Sequence, residues 1–153
     1  MQQVIRKARA KINLGLDVVK RREDGYHEVK MIMQTVDLYD ELTICKTEQP
    51  GIQITTNVGD IPVNEDNLIY KTAKLMLDKY SIQQGIAVHL KKVIPVAAGM
   101  AGGSTDAAAT FTGLNQLFDL KIPDEELMKM AVKIGADVPY CIMGGTALSE
   151  GIG

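Results

Sequence analysis

"PVAAGMAGGSTDAAA", residues 95–109, is built of glycine, alanine and small residues, with no aromatic residue, no lysine and a single acid, Asp106. Upstream, "GIAVHLKKVI" alternates apolar and polar positions through Ile86, Val88 and Leu90, as a strand does. Downstream, Ala107, Ala108, Phe111, Leu114 and Phe118 recur at helical spacing. A strand therefore enters a glycine-rich turn that opens a helix running to about Phe118. Helix N-termini carry unpaired N–H donors and about half a positive charge. Glycines let an anion approach that backbone closely. Two readings follow: a phosphate cradle, or a tight strand-to-helix turn whose small residues permit close packing.

Two common phosphate motifs do not fit. The glycines lack Walker A spacing, and no lysine precedes Ser104–Thr105. The pattern is G-x-x-G-G rather than G-x-G-x-x-G, so it is not the dinucleotide fingerprint either.

The remaining sequence places this loop in a mixed architecture. "QQVIRKARAKINLGLDVVKR" predicts one or two strands, and "EDGY" (23–26) a turn. "HEVKMIMQTVDL" predicts a strand with "YDELTICK" as its hairpin partner, and "GIQITTN" a further strand. "NEDNLIYKTAKLMLDKY" (64–80) predicts a helix with Ile69, Ala73, Met76 and Tyr80 on one face and Asn64 as N-cap. "PDEELMKMAVKI" predicts another, burying Leu127, Met130, Ala131 and Ile134. "GADVPYCIMGGTALS" predicts loop, strand and turn. This order is α+β rather than strict βαβ alternation.

Composition narrows the function classes. With 153 residues, 46% of them hydrophobic, the chain is long enough for one domain with a real core. A net charge of −2 gives no global attraction to nucleic acid or anionic membrane, so any anion site is local. Arg6, Lys7, Arg9 and Lys11 interleave with Ile5, Ala8 and Ala10, as on a solvated strand face. Cys45 and Cys141 match no metal or redox spacing; both are expected to be reduced in a cytoplasmic protein, with Cys141 a small core residue. No apolar run approaches the roughly 20 residues of a membrane span. The end at "SEGIG" leads to the expectation of a piece of a longer protein.

Four stretches in order, "AKINLGLDV" (10–18), "REDGYHEVKMIM" (22–33), the glycine loop and "IGADVPYCIMGGTAL" (134–148), resemble the GHMP kinases. These include galacto-, homoserine, mevalonate and phosphomevalonate kinases. Within them, "DGYHEV" and "AKINL" resemble the branch acting on a cytidine diphosphate-linked methylerythritol. The resemblance implies an α+β fold, a mixed sheet packed against helices with a left-handed β-α-β unit. Residues 1–153 would form the N-terminal ATP-binding domain, with the C-terminal domain absent from this chain. It implies transfer of the ATP γ-phosphoryl group to a small-molecule alcohol, with no nucleic-acid or membrane partner. Mg²⁺ would be held mainly through the ATP phosphates, with no metal ligand set of its own.

By this resemblance Asp137 is a general base and Lys11 its partner; from the residues alone, Asp137 is a turn aspartate and Lys11 a solvated strand lysine. Pro95, Val96, Ala97, Ala98, Gly99, Met100, Ala101, Gly102, Gly103, Ser104 and Thr105 would wrap the triphosphate. Asn67, otherwise a second capping candidate, and Lys92 would lie on the ATP side, with Lys91 able to exchange roles with Lys92. Tyr26 and His27 would hold the cytosine, and Asn13 would contact the same substrate. Arg9 stands where the family usually has proline, leaving the path of that strand open. Another GHMP small-molecule kinase, or a nucleotide- or RNA-binding module of the same fold, remains an alternative.

Overall fold

In the computed structural model, residues 1–21, 27–95, 102–143 and 146–152 are described, with side chains over 1–11, 35–95 and 102–143. The elements run β1 (Gln3–Arg21), β2 (His27–Thr47), β3 (Ile52–Thr56), α1 (Leu68–Lys79), β4 (Gly85–Lys91), α2 (Gly102–Leu117), α3 (Asp124–Ala131), α4 (Val138–Met143) and β5 (Thr146–Ile152).

β2 organises the sheet. It pairs antiparallel with β1 along one edge. Its other edge is shared, residues 41–47 pairing with β4 and residues 28–34 with β5. β3 then pairs parallel with β4, so β3, α1 and β4 make a β-α-β unit in a mixed sheet. The expected hairpin between "HEVKMIMQTVDL" and "YDELTICK" is instead one continuous strand. The physical reason is that residues 37–41 contain neither glycine nor proline to reverse the chain, and β1 already supplies the antiparallel partner.

One face of the sheet is covered by helices. The core joins Leu42, Ile44, Ile86, Val88 and Leu90 to Ile69 and Met76 of α1, Phe111 and Leu114 of α2, and Leu127 of α3. The periodicities predicted for α1 and α3 are those observed, apart from Tyr80, which caps α1, and Ile134, which follows α3; both are only partly buried. α2 packs closely because its inner positions are small: Ala107, Ala108 and Ala109 are buried beside Phe111. A Cβ on Gly113 would stand 2.6 Å from Ile44 Cδ1 and 3.2 Å from Arg6 Cγ, so glycine sets how near the helix comes to the sheet.

Two further expectations are corrected. α1 begins at Leu68 rather than after Asn64, because Asn67 Oδ1 accepts the Ile69 N–H at 2.8 Å and is the true N-cap. Residues 138–143 form a helix and not a strand. Pro139 falls in its first turn, where a missing N–H costs nothing, and the Cys141 N–H donates to the Asp137 carbonyl at 3.2 Å.

Candidate functional site

The first turn of α2 divides the site into two cavities. On one side Gly102, Gly103, Asp106, Lys92, Pro95, Asn67 and Leu68 line a cavity of about 230 Å³, closed below by Asp60, Ile61, Pro62 and Asp66. On the other, Thr105 lines a cavity of about 100 Å³ with Lys11, Thr35, Tyr140 and Cys141.

Lys11 reaches this second cavity through an irregularity in the sheet. Arg9 pairs with Tyr39 and Lys11 with Thr35, so β2 uses four residues where β1 uses two. Strict alternation would put Lys11 outside with Lys7 and Arg9. Instead Ala10 and Lys11, neighbours in sequence, are both buried, at 0% and 7% exposure. The ammonium lies 3.6 Å from Asp137 Oδ1, on the turn entering α4. The solvated-lysine reading of Lys11 is therefore corrected, and the structure brings Lys11 and Asp137 together. Burial pushes the adjacent Cys141 thiol up to about 11, with Lys11 working against the rise and Asp137 adding to it. That thiol stays protonated at neutral pH.

The register shift between β1 and β2 begins at Arg9. Its guanidinium pairs with Asp37 on β2 and lies over the Tyr39 ring. Lys7 faces Glu41 across the ladder. Lys7, Arg9 and Lys11 each face an acid, and Arg6 donates to Gln116 Oε1 at 3.4 Å.

On the side of the larger of these two cavities, Asn67 is a lining residue, but both ends of its amide serve the fold. Besides capping α1, its Nδ2 donates to the Pro62 carbonyl at 2.8 Å. Lys91 and Lys92 separate: Lys91 is exposed beside Asp37 and Tyr39, whereas Lys92 lines the cavity. Lys92 Nζ donates to Asp40 Oδ2 at 2.7 Å and Asp106 Oδ2 at 3.0 Å. Asp40 Oδ1 accepts the N–H groups of Val93 and Ile94 at 2.7 and 2.8 Å.

Charge is uneven within this cluster. Burial, then the neighbouring Asp40, pushes the Asp106 carboxyl up to about 9, and Lys92 only partly offsets them. Burial also opposes ionisation of Asp40, but its bonds from Asp106, Lys92, Ile94 and Val93 outweigh that and hold it below the usual range. Burial works to lower Lys92, yet Asp106 and Asp40 raise it overall. At neutral pH the cluster is ionised Asp40, protonated Lys92 and neutral Asp106.

Asp40 and Asp106 escaped the sequence reading. Asp40 lies in "YDELTICK", read as the second arm of a hairpin that does not form. Asp106 carried one usable signal, as the only acid in the glycine–alanine run. Among the predicted residues, Gly102, Gly103 and Thr105 share the first turn of α2, Gly102 and Gly103 facing one cavity and Thr105 the other; Ser104, half-buried, lies between them. Val96, Ala97, Ala98, Gly99, Met100, Ala101 and Tyr26, and the side chains of Asn13 and His27, lie outside the described residues.

A mixed sheet covered on one face by helices, with a glycine-rich approach to the α2 N-terminus, defines a class. The chain belongs to the GHMP kinases, whose N-terminal domain matches residues 67–145. 4-Diphosphocytidyl-2-C-methyl-D-erythritol kinase of Lachnospira eligens is 60% identical over 153 residues, covering 100% of this chain and 53% of that protein. The kinase of the same name from Lachnoclostridium phytofermentans is 58% identical over 147 residues, covering 96% and 50%. A crystal structure of 4-(cytidine 5'-diphospho)-2C-methyl-D-erythritol kinase superposes with a TM-score of 0.84 at 36% identity, over 98% of this chain and 53% of that one. Homoserine kinase from Cytophaga hutchinsonii, at 22% identity and a TM-score of 0.78, shares the fold. The chain spans about half the length of the curated relatives it matches.

Proposed function

We propose that this chain is the ATP-binding half of a kinase that phosphorylates the 2-hydroxyl of 4-diphosphocytidyl-2-C-methyl-D-erythritol, in the non-mevalonate route to isoprenoids. The observation that carries the reading is the Lys11–Asp137 pair beside the first turn of α2, in a chain 60% identical to a kinase of that name.

In this reading the N–H groups of Gly102 and Gly103, at the start of α2, receive the phosphates of ATP, and the cavity behind them takes the nucleoside. It fits that group: Gly102 and Gly103 line the cavity without side chains, so a phosphate can come close to their backbone. Asp137 accepts the proton of the acceptor hydroxyl as its oxygen bonds to the γ-phosphorus and the bond to the ADP oxygen breaks. Lys11, whose ammonium lies 3.6 Å from Asp137 Oδ1, offsets charge gathering on the transferred group. Mg²⁺ supplies charge neutralisation on the phosphates when bound; Ser104 and Thr105 offer hydroxyls in the first turn of α2. Tyr26, His27 and Asn13 are assigned to the cytidine side by resemblance. The fold would then work in the bacterial cytoplasm, and the two free thiols accord with that.

Positioning supplies most of the catalysis in phosphoryl transfer. The 153-residue chain, which on this reading lacks the second domain, should therefore turn over far more slowly than a polypeptide of its relatives' length. The test is ADP release with the cytidyl substrate, using both lengths and Asp137→Asn in the longer one. A general base contributes about 10²–10⁴-fold. The variant should lose turnover on that scale while keeping ATP affinity. Turnover by Asp137→Asn close to wild type would overturn the assignment. Binding of RNA with steep salt dependence, and of no ATP, would favour a non-catalytic module.

A further inference from the structure

The cluster of Asp40, Lys92 and Asp106 has no role in the chemistry above, yet it is among the most buried polar groupings described. Asp40 is 0% and Asp106 3% exposed. Its members come from three separate elements: Asp40 from β2, Lys92 from the exit of β4, and Asp106 from the first turn of α2. Asp40 captures two successive backbone N–H groups, at Val93 and Ile94, where the chain leaves the sheet. It also holds the Lys92 ammonium, which bonds onward to Asp106. The main chain of Lys92 is fixed as well: its N–H donates to Asn57 Oδ1 at 2.7 Å and its carbonyl accepts from Asn57 Nδ2 at 3.2 Å. Both described edges of the glycine-rich stretch, Ile94 before it and Gly102 after it, are thereby tied to one point in the sheet. Gly102 is required by the same point, since its Cβ would press on Lys92 Nζ and stand 3.3 Å from Ile94 Cγ2.

We infer that Asp40 and Asp106 are positioning residues for phosphate binding: with Lys92 they clasp the exit of β4 to the first turn of α2 and set where its N–H groups meet the phosphates. Lys92 acts through this clasp, holding one carboxylate and one neutral carboxyl group, rather than as a free cation on the ligand. The geometry explains why the sheet carries an acid at 40, where an apolar residue would pack as well. An apolar side chain there would leave the Val93 and Ile94 N–H groups without this acceptor and the Lys92 ammonium with Asp106 alone of the two. The inference rests on the reading that this cavity receives ATP.

The test uses the full-length polypeptide with Asp106→Ala, Asp106→Asn and Asp40→Asn. It reads affinity for ATP·Mg and for adenosine by calorimetry, and amide exchange at Val93 and Ile94. Asp106→Ala and Asp40→Asn should weaken ATP by about tenfold or more, with adenosine little changed, because only the phosphates depend on the clasp. Asp106→Asn retains an oxygen for Lys92 and mimics a neutral acid, so it should restore most of the ATP affinity. Asp40→Asn turns an amide against the ammonium and should speed exchange at Val93 and Ile94. Equal loss of ATP and adenosine would mean a merely structural role, and wild-type ATP affinity in a folded Asp106→Ala would also overturn the clasp. If Asp106→Ala does not fold, Asp40→Asn decides by the same ATP-to-adenosine comparison. If the wild type binds no ATP, the kinase reading falls, and the clasp then stands only if Asp40→Asn accelerates those two amides.

Discussion

Two adjacent glycines at the start of α2 should respond oppositely to the same methyl group. A Cβ on Gly102 would lie 2.8 Å from Lys92 Nζ and 3.3 Å from Ile94 Cγ2. Lys92 cannot swing aside, because its ammonium is held at 2.7 and 3.0 Å by the buried carboxyl groups of Asp40 and Asp106. Overpacking of this kind costs about 1–3 kcal/mol. At roughly 2–4 °C per kcal/mol for a chain of this size, Gly102→Ala should lower the melting temperature by about 2–12 °C. The nearest atom to a Cβ on Gly103 is Leu68 Cδ1 at 3.7 Å, an ordinary contact. Gly103 also has no positive φ to preserve, so alanine there gains helix propensity, up to about 1 kcal/mol. Gly103→Ala should therefore melt at or slightly above wild type. If Gly103 is bare in order to admit phosphate, that same variant should bind ATP·Mg more weakly despite its stability. Thermal melts of the 153-residue chain and its two variants, followed by calorimetric titration with ATP·Mg, separate these effects. Equal destabilisation by both substitutions, or a Gly102→Ala variant as stable as wild type, would refute the steric reasoning.

Asn67→Ala removes the N-cap of α1 and the bond to the Pro62 carbonyl, and should cost about 1–2 kcal/mol in urea unfolding; a loss well below that range would show that the cap is replaceable. Asp106 gives a pH signature. Its carboxyl keeps a proton up to about 9 in the folded chain but releases it near 3.8 when unfolded, so its contribution is fullest at low pH and is lost as pH rises towards 9. Asp40 and Lys92 face it and move in the senses already described. Unfolding curves from about pH 5 to about pH 9 should slope downward in wild type and flatten in Asp106→Asn; equal slopes would place the titrating group elsewhere.

Elements governed by local periodicity were legible from residue order. α1, α2 and α3 bury the faces their spacing indicated, and the strand before the glycine turn is where its alternation put it, though its pairing stops at Lys91. The motifs that mark the family, and Lys11 and Asp137 among them, were likewise visible in the chain. Three features were decided only by tertiary structure. Residues 27–47 form one strand because β1 pairs with it on both sides of residues 36–38, a long-range fact that no window across residues 38–39 contains. Residues 138–143 are helical although their apolar run reads equally well as strand, since short apolar runs do not distinguish the two. Lys11 looked solvated because alternation assigns it the face of Lys7 and Arg9, and only the mismatch against β2 turns it inward to Asp137. The Asp40–Lys92–Asp106 cluster joins residues 52 and 14 positions apart. Burial makes those side chains matter, and burial is a property of the packed chain, not of any stretch of it.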